Sequence, residues 1–497
     1  MTKVIKALTN WPVMLGLQAV ASALFAYVIY NLGVLPPMYL YGLIGVFALL
    51  LIVSFFLMKP SKEEGKGKVR GVVGKLISVL LSIAMLIGSF YVVQSDNLLE
   101  DISGATEQTN RYTLYVLKDS EYKVINDFQF LTIGMSSAYG KEEHYTEAHN
   151  VIFYGNPNIR FKDYADYEEM VNDFYNGDIA AIYVDEAYNG VIEEYKETFL
   201  EDVRSWYSYE ITEQILDISK SVNVTNSVFT IYLSGIDTTG KVSTVSRSDV
   251  NMIVTINPVT KDILMTSIPR DYYVTLANKD QKDKLTHAGL GGVENSVKTI
   301  ENFMGIDINY YARVNFTSVI KIVDALGGVT VNSPVAFTTR VGNYYISKGN
   351  NKLNGEKALA FVRERYHLSS GDDDRVRNQQ RLLKAMLDKA TSPSIITKLS
   401  KVLESVKGAF ETNMTSDEML QLIQMQLTDM ASWNFYSVVL TGTGKSMTGG
   451  AYIPNVKLYY KIPDENSIAH AKGLIDKMTN GEVLTEEDFV IEDEETN

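Results

Sequence analysis

The stretch VFTIYLSGIDTTGKVSTVSRSDVNMIVTINPVTKDILMTSIPRD, residues 228–271, decides the fold of this 497-residue chain. It contains three apolar, β-rich runs, at 228–236, 250–256 and 263–268, separated by polar loops. The segment NPVTK between the last two runs has the composition of a turn, and such runs bounded by turn residues predict strands. We expect three consecutive strands within an α/β unit.

Charged side chains stand at the ends of these strands. Asp237 follows the first, Arg247 and Asp249 open the second, and Arg270 follows the third. If neighbouring strands are antiparallel, these ends meet at one edge of the sheet. Two carboxylates beside arginines suit magnesium bound to pyrophosphate, because Mg²⁺ takes oxygen ligands and guanidinium groups bind phosphate. Any one of these residues taken alone could instead be an ordinary polar turn residue.

A second pair of arginines lies in FVRER, residues 361–365. An extended conformation there places Arg363 and Arg365 on one face, where both can reach a single anion, with Glu364 on the other face. Solvated surface charge is the alternative, but the pair follows an apolar run that is expected to end inside the fold.

A helix is predicted to follow, beginning in GDDDRVRNQQ at residues 371–380. Its apolar stripe continues through Leu382 and Leu383, and Asp372 suits the first turn. Arg375 and Gln379 share one face of this helix near its positive end, which favours phosphate.

The chain begins with three uncharged apolar runs, at 11–33, 38–57 and 76–93, each close to the ~20 residues that a membrane-spanning helix needs. A signal peptide cleaved near Ala21-Ser22-Ala23 is the competing interpretation, but the first run continues past that point. Lysine and arginine precede the first run and crowd the loop before the third, which predicts a cytoplasmic amino terminus and an extracytoplasmic chain after about residue 93.

The expected outer part of the chain is acidic and lacks cysteine. Residues 96–497 carry 38 Lys and Arg against 58 Asp and Glu, a net charge of −20. This charge disfavours nucleic-acid binding, which depends on neutralising phosphates. Without disulfides the ectodomain depends on its own core, as is typical of the outer face of a bacterial membrane.

Four segments are predicted along the chain. Residues 1–95 form the membrane anchor, and 104–222 form a small α/β accessory domain, in which 151–154 is one of several β-like runs. Residues 225–395 form the α/β domain that carries the charged motifs above, and 396–497 continue it and end in an acidic tail. The accessory segment shows no chemical motif and is predicted to be an accessory or spacer domain. Binding of polysaccharide or of a partner protein by its aromatic residues is the alternative.

The motifs of the third segment, in this order, resemble the LytR-CpsA-Psr family. They are Asp237, Arg247-Ser248-Asp249, Ser267 to Asp271, Val314-Asn315-Phe316, Val323 to Val329, Leu353 to Leu359, Arg363-Glu364-Arg365 and Gly371 to Gln380. The resemblance implies an α/β domain with a mixed central sheet flanked by helices. Its core encloses a polyprenyl chain, and arginines and Mg²⁺ hold the pyrophosphate at the mouth.

Site roles follow from the resemblance by position. Asp237 and Asp249 are the implied magnesium ligands, and Asp249, Arg270 and Asp372 the implied catalytic residues. Asp372 is either a general base, a residue that orients an arginine, or only a helix cap. The implied pyrophosphate-binding residues are Arg247, Arg270, Arg363, Arg365, Arg375 and Gln379. The candidates for the lipid tunnel are Phe303, Val314, Phe316, Val319, Ile322, Val323, Leu326 and Phe361. Apolar residues at this spacing also occur in an ordinary hydrophobic core, which is the alternative for each of them.

The function implied is a magnesium-dependent transfer of a glycopolymer from polyprenyl pyrophosphate to peptidoglycan, at the membrane of a Gram-positive bacterium. Three spans, an extra ectodomain and Asn378 are similar to the capsule-associated CpsA branch, which favours capsular polysaccharide as the donor glycan. Two alternatives remain open. One is a membrane regulator that binds lipid-linked polymer and signals to capsule export or kinase proteins, and the other is a pyrophosphate hydrolase.

Overall fold

The computed structural model describes residues 9–33, 35–60, 68–105, 107–154, 156–236, 241–392, 395, 399–408 and 410–489. The helices are α1 (Trp11–Leu32), α2 (Pro37–Met58), α3 (Lys68–Ile102), α4 (Glu142–Phe153), α5 (Tyr167–Asn176), α6 (Asn189–Tyr195), α7 (Phe199–Asp202), α8 (Gly292–Met304), α9 (Phe316–Ala325), α10 (Gly355–Arg363), α11 (Asp372–Ala390), α12 (Leu399–Val406), α13 (Ser416–Asp429) and α14 (Glu465–Thr479). The strands are β1 (Glu107–Leu117), β2 (Thr132–Met135), β3 (Arg160–Asp163), β4 (Ala181–Asp185), β5 (Val203–Gln214), β6 (Phe229–Ile236), β7 (Ser248–Asn257), β8 (Asp262–Ile268), β9 (Tyr273–Leu276), β10 (Gln281–Lys284), β11 (Tyr310–Asn315), β12 (Val329–Ser333), β13 (Phe337–Thr338), β14 (Tyr345–Ile346), β15 (Gly349–Leu353), β16 (Phe410–Thr412), β17 (Asn434–Val439), β18 (Gly442–Met447) and β19 (Leu458–Pro463).

Helices α1, α2 and α3 are each long and apolar enough to cross a membrane. The rings of Phe25 on α1 and Phe47 on α2 lie 5.8 Å apart, within a small core that the three helices share. Helix α3 begins at Lys68, before the predicted start at residue 76, and continues beyond the apolar stretch to Ile102. It therefore leads the chain to β1, the first strand of the α/β part.

The smaller α/β domain, called the accessory domain here, comprises residues 107–214 with β1 to β5 and α4 to α7. Its sheet has the order β3-β2-β4-β1-β5, in which β2, β3 and β4 are parallel and β1 is antiparallel to both neighbours. The prediction of a β-like run at 151–154 is wrong, because these residues close helix α4. Ala148 and Ile152 are buried one turn apart on this helix, which gives the run its apolar character.

The larger domain is built on a six-stranded mixed sheet of order β16-β11-β6-β7-β8-β17. Strands β6, β7 and β8 are antiparallel as predicted, whereas β11 and β17 run parallel to their neighbours β6 and β8. The turn between β7 and β8 is formed by the Asn257 side chain, whose Oδ1 accepts hydrogen bonds from Val259 N at 3.0 Å and Thr260 N at 3.2 Å. The mixed α/β fold class is confirmed.

Helices cover both faces of this sheet. Ile253 and Leu264 point to a core shared with α8 and α14, while Met252 and Met265 face α11. Alternate residues of each strand therefore pack on opposite helical layers, as expected for a central sheet. Helices α9, α10 and α11 also enclose a second apolar core with β12 to β15.

Residues 361–363 are helical, so the extended conformation predicted for 361–365 is wrong for its first part. Helix α10 begins after Asn354, whose side chain caps it by accepting a hydrogen bond from Lys357 N at 3.1 Å. The helix ends at Arg363, and the chain is extended from Glu364.

Candidate active site

A cavity of about 650 Å³ lies between the sheet and helices α9, α10 and α11. Most of its walls are apolar. The apolar lining includes Leu233, Val250, Met252, Val314, Phe316, Val319, Ile322, Leu326, Leu359, Val362, Leu382, Leu383, Met386, Leu387, Val402 and Phe410. Volume and lining are both typical of a site for an apolar ligand.

The cavity is elongated along helix α11. Lining residues on this helix run from Arg375 and Gln379 near its start to Ala390 at its end. At 1.5 Å per residue this is about 22 Å of helix. The charged lining residues Arg375, Arg363 and Arg365 lie near the start of α11 or the end of α10, so one end of the cavity is cationic and the rest apolar.

Asp249 and Arg270 form an ion pair at the cationic end. Arg270 Nη1 donates a hydrogen bond to Asp249 Oδ2 at 2.9 Å, and the Thr286 hydroxyl donates to Asp249 Oδ1 at 3.3 Å. Burial raises the pKa of Asp249, but the guanidinium groups of Arg270, Arg247 and Arg375 outweigh it and hold this pKa below its usual value. Asp249 is therefore a buried carboxylate that stays ionised among cations.

Several buried guanidinium N–H groups at this end lack a hydrogen-bond partner within the described part of the chain. They are Nε of Arg270 and both Nε and Nη2 of Arg375. Arg375 Nε lies 2.8 Å from Asp372 Oδ1, but the two atoms are not in hydrogen-bonding geometry. A buried charged donor without an acceptor costs about 1–3 kcal/mol or more. The arrangement fits an anion that accepts these N–H groups.

Aromatic rings hold the other arginines at the mouth. The Arg363 guanidinium lies 4.1 Å from the centroid of the Phe316 ring, and Arg340 and Arg365 lie 4.3 Å and 4.7 Å from that of Tyr366. Arg365 Nη2 also donates to Tyr366 Oη at 2.5 Å. Stacking on rings restricts these long side chains, so less freedom is lost when they bind an anion.

The Glu364 side chain binds the backbone of the residues that carry these arginines. Its Oε1 accepts hydrogen bonds from the backbone N–H groups of Arg365, Tyr366 and His367 at 3.1, 2.8 and 3.0 Å. Its Oε2 accepts from Arg340 N at 2.5 Å. One buried carboxylate thus fixes the loop after α10 and the loop between β13 and β14.

The described residues contain no group of three or more His, Cys, Asp or Glu side chains arranged to hold a metal. Asp249 is one carboxylate at the cationic end of the cavity, and Asp237 lies outside the described residues. Mg²⁺ is commonly bound by one or two carboxylates together with substrate phosphates and water. The donor set around Asp249 fits that mode of binding and does not form a closed protein cage.

The amino-acid sequence around this site matches a protein-family model. The LytR_cpsA_psr family model matches residues 201–470, more than half of the chain. The chain belongs to the LytR_cpsA_psr family. The matched part contains all of the cavity residues named above.

Curated relatives within the LytR_cpsA_psr family carry a transferase name. "Polyisoprenyl-teichoic acid--peptidoglycan teichoic acid transferase TagU" of Bacillus anthracis is 36% identical over 235 residues, which are 47% of this chain and 74% of the relative. The protein of the same name from Bacillus mycoides is 35% identical over 248 residues, or 50% of this chain and 76% of the relative.

Solved structures of similar proteins include Bacillus subtilis TagV, 32% identical with a TM-score of 0.44, covering 51% of this chain and 98% of that one. "TagT bound to LI-WTA" is 27% identical with a TM-score of 0.43, covering 54% of this chain and 97% of that one.

The structure brings most of the predicted site residues of this family member to the cavity. Those that line it are Asp249, Arg270, Arg363, Arg365, Arg375 and Gln379, with the lipid candidates Val314, Phe316, Val319, Ile322 and Leu326. Asp372 stands at the rim beside Arg375, at 2.8 Å. Arg363 reaches the cavity from the end of a helix and not from a strand as predicted.

Three lipid candidates are packed elsewhere among the described residues. Phe303 lies on α8, on the opposite face of the sheet, with its ring 5.8 Å from that of Tyr272. Val323 and Phe361 are fully buried in the core between α9, α10 and α11. Their apolar character reflects packing of the helices and not the cavity surface.

Arg247 is not among the described residues that line the cavity. It lies close enough to Asp249 to lower the pKa of that carboxyl, but its guanidinium packs against Gly190 of the accessory domain. Arg340 and Tyr366 do line the cavity and were not predicted. Tyr366 directly follows the FVRER motif, whereas no local pattern marks Arg340.

Proposed function

We propose that this protein is a membrane-anchored transferase that moves a glycopolymer from polyprenyl pyrophosphate to peptidoglycan. The observation that carries the proposal is the elongated apolar cavity that ends in buried guanidinium N–H groups without a hydrogen-bond partner among the described residues. An apolar tail with a multiply charged head matches both parts of that cavity. The names of the TagU relatives support the same class of donor and acceptor.

In the proposed reaction, a peptidoglycan hydroxyl attacks the phosphorus nearest the glycan. A new P–O bond to the acceptor forms, the bond from that phosphorus to the bridging oxygen breaks, and polyprenyl monophosphate leaves. Arg270 and Arg375 stabilise charge on the phosphate oxygens, which is the usual source of rate in phosphoryl transfer. Asp372, one-third exposed at the rim, accepts the hydroxyl proton and orients Arg375.

Asp249 and Asp237 are the proposed ligands of Mg²⁺. The ion would neutralise charge on the pyrophosphate when bound. Among the described residues, Asp249 is held for this role by Arg270 and Thr286, which fix both of its oxygens.

The proposed topology places the catalytic domain outside the cell, because lysine and arginine concentrate before α1 and between α2 and α3. We propose capsular polysaccharide as the donor glycan, because the three apolar helices and the accessory domain resemble the CpsA branch. The relatives' names favour teichoic acid, so purified lipid-linked donors of both kinds should be compared in one assay.

Arg375 and Arg377 offer a matched test of the site. They lie two residues apart on α11, with Arg375 buried at the cavity and Arg377 exposed and paired with Asp374 at 3.1 Å. Arg375→Ala should lower kcat/KM for transfer by about 10²- to 10³-fold, the usual cost of removing one donor to a transition-state oxyanion. Arg377→Ala should leave it within about twofold. Equal activity of both variants would contradict the proposed site.

The same assay separates the alternatives. Asp249→Asn should reduce turnover and raise the Mg²⁺ concentration required, and Asp372→Asn should reduce turnover while donor binding is kept. Tight donor binding without turnover under any condition would favour a regulator. Release of free glycan phosphate in the presence of peptidoglycan would favour a hydrolase.

A further inference from the structure

The accessory domain holds the segment that leads to Arg247. Thr109 of β1 donates its backbone N–H to Ser243 O at 2.9 Å and accepts from Val245 N at 2.8 Å. These bonds form a parallel bridge with Thr244, just before strand β7. The backbone of an accessory strand thus fixes the approach to a residue of the family domain.

Helix α6 of the accessory domain touches the guanidinium of Arg247 itself. Gly190 on α6 is buried, and a Cβ added there would lie 2.2 Å from Arg247 Cζ and 2.3 Å from Nη1. No side chain larger than hydrogen fits while Arg247 keeps this position. The φ angle of Gly190 is not positive, so the backbone conformation does not require glycine here. The glycine instead allows the arginine to approach the helix closely.

The start of α6 is anchored on the family domain. Tyr188, immediately before the helix, is buried, and its ring lies 5.8 Å from that of Tyr452. Tyr139 of the accessory domain also stacks on Tyr452, at 6.4 Å. Rigid aromatic packing at this interface keeps α6 in place relative to the sheet.

A chain of ion pairs links the other end of α6 to Arg270. Glu194 Oε1 lies 3.4 Å from Lys284 Nζ, which lies 3.8 Å from Asp271 Oδ1. Asp271 Oδ2 in turn lies 3.8 Å from Arg270 Nε. The Lys284 side chain is only 11% exposed, so the middle of this link is shielded from solvent, whereas Glu194 is partly exposed.

We propose that helix α6 positions Arg247 near the Asp249 carboxylate, and Arg270 at the cationic end of the cavity, so that the accessory domain completes the transferase site. Gly190 is the positioning residue for Arg247, and Glu194 acts on Arg270 through Lys284 and Asp271. This inference rests on the proposed function. It assigns to residues 107–214 a role in catalysis, whereas the sequence showed no chemical motif in this segment.

Gly190→Ala in the full-length chain tests the inference. The atoms that the new methyl group meets are the far end of a flexible side chain, so the fold should survive while the guanidinium moves. Displacements of about 1 Å can cost 10²-fold in rate. We expect kcat/KM for transfer to fall about 10- to 100-fold with an unchanged unfolding temperature. Gly473→Ala on α14, where an added Cβ meets open space, is the matched control and should behave as wild type.

A double-mutant cycle separates positioning from general damage. If Gly190 acts through Arg247, then Gly190→Ala should have little further effect in an Arg247→Ala background. Additive losses, or wild-type activity of Gly190→Ala, would overturn the inference. Should Gly190→Ala fail to fold, Glu194→Gln replaces it, with an expected loss of about 2- to 30-fold that disappears in an Arg270→Ala background.

Binding of geranylgeranyl pyrophosphate gives a readout that does not require turnover. The same double-mutant cycle is measured on the Kd for geranylgeranyl pyrophosphate. Gly190→Ala should weaken binding in the wild-type background and should have no further effect in the Arg247→Ala background. If wild type fails to transfer glycan but this coupling is present, the proposed function fails and the positioning role stands. If wild type transfers glycan and the coupling is absent, only the positioning role fails.

Discussion

Glu364→Gln probes how the arginine cluster is held together. The Glu364 side chain is almost fully buried, and its two oxygens accept four backbone hydrogen bonds, three on Oε1 and one on Oε2. In Glu364→Gln, the amide oxygen can still accept the three hydrogen bonds from the backbone of Arg365, Tyr366 and His367. The amide NH₂ group then faces the N–H of Arg340, donor against donor.

The expected cost follows from those contacts. One hydrogen bond to a charged acceptor is lost and the partly buried N–H of Arg340 is left unpaired, which together amount to about 3 kcal/mol. For a domain of this size that corresponds to a decrease in Tm of about 5–10 °C. Transfer should fall as well, because Arg340 and Arg365 are carried by the two loops that Glu364 joins.

The pH dependence supplies a second check. Burial raises the pKa of Glu364, but hydrogen bonds from the backbone of Arg340, His367 and Tyr366 outweigh it and leave this pKa below its usual value. The folded state therefore binds fewer protons than the unfolded state as pH falls through the range below about 4.5. Wild type loses the Glu364 contribution in that range, so the difference in Tm between wild type and Glu364→Gln should shrink in acid.

The assay is thermal unfolding of the detergent-solubilised full chain at pH 7.5 and at pH 4, followed by tryptophan fluorescence. Glu356→Gln is the control, since Glu356 is exposed on the same helix α10 and accepts only a surface hydrogen bond from Tyr344. A Tm for Glu364→Gln within 1 °C of that of Glu356→Gln at pH 7.5 would refute the role given to Glu364.

Two further predictions concern the accessory core and the cavity. Burial raises the pKa of Asp185 from 3.8 to about 6, so the folded state binds more protons and loses stability as pH rises through that range. The Asn110 amide donates to Asp185 at 2.6 Å, so Asp185→Asn also changes a hydrogen bond, and the pH dependence is the informative readout. Between pH 4 and pH 7.5 the free energy of urea unfolding of Asp185→Asn should rise relative to wild type by up to about 3 kcal/mol, and a difference that does not change with pH would contradict the raised pKa. Val319→Trp should fill the lipid cavity and weaken geranylgeranyl pyrophosphate binding about 10- to 100-fold with Tm kept. Val335→Trp, at an exposed position, should bind normally, and equal binding by both variants would place the lipid elsewhere.

The central strands and their charged edge could be predicted because the signals are local. Residues 228–268 alternate between β-branched runs and a turn in which Asn257 bonds its own following backbone, and this fixes three antiparallel neighbours. Antiparallel pairing alone then brings Asp249 and Arg270 together at 2.9 Å. The apolar stripe of α11 could also be predicted from the local spacing of its apolar residues, although Leu382 and Leu383 line the cavity as well.

The features that escaped prediction depend on contacts distant in the chain. Arg340 reaches the cavity because Glu364, in another loop, binds its backbone. The role of Gly190 depends on the contact between the accessory domain and Arg247, which is distant in the chain. The conformation of 361–365 was misjudged because the helix is set by its cap at Asn354, upstream of the five residues considered. Asp237 lies outside the described residues and stays a prediction.

The most direct test of transfer follows the two phosphates of the donor separately. A polyprenyl-pyrophosphate glycan labelled on the glycan-proximal phosphate is incubated with the purified full-length chain, Mg²⁺ and peptidoglycan, and the label and the released lipid are quantified. Our account predicts that the label joins peptidoglycan together with the glycan, with one polyprenyl monophosphate released per transfer, and that Arg375→Ala slows both about 10²- to 10³-fold. Label left on the lipid, or released as soluble glycan phosphate while peptidoglycan stays unlabelled, would contradict it.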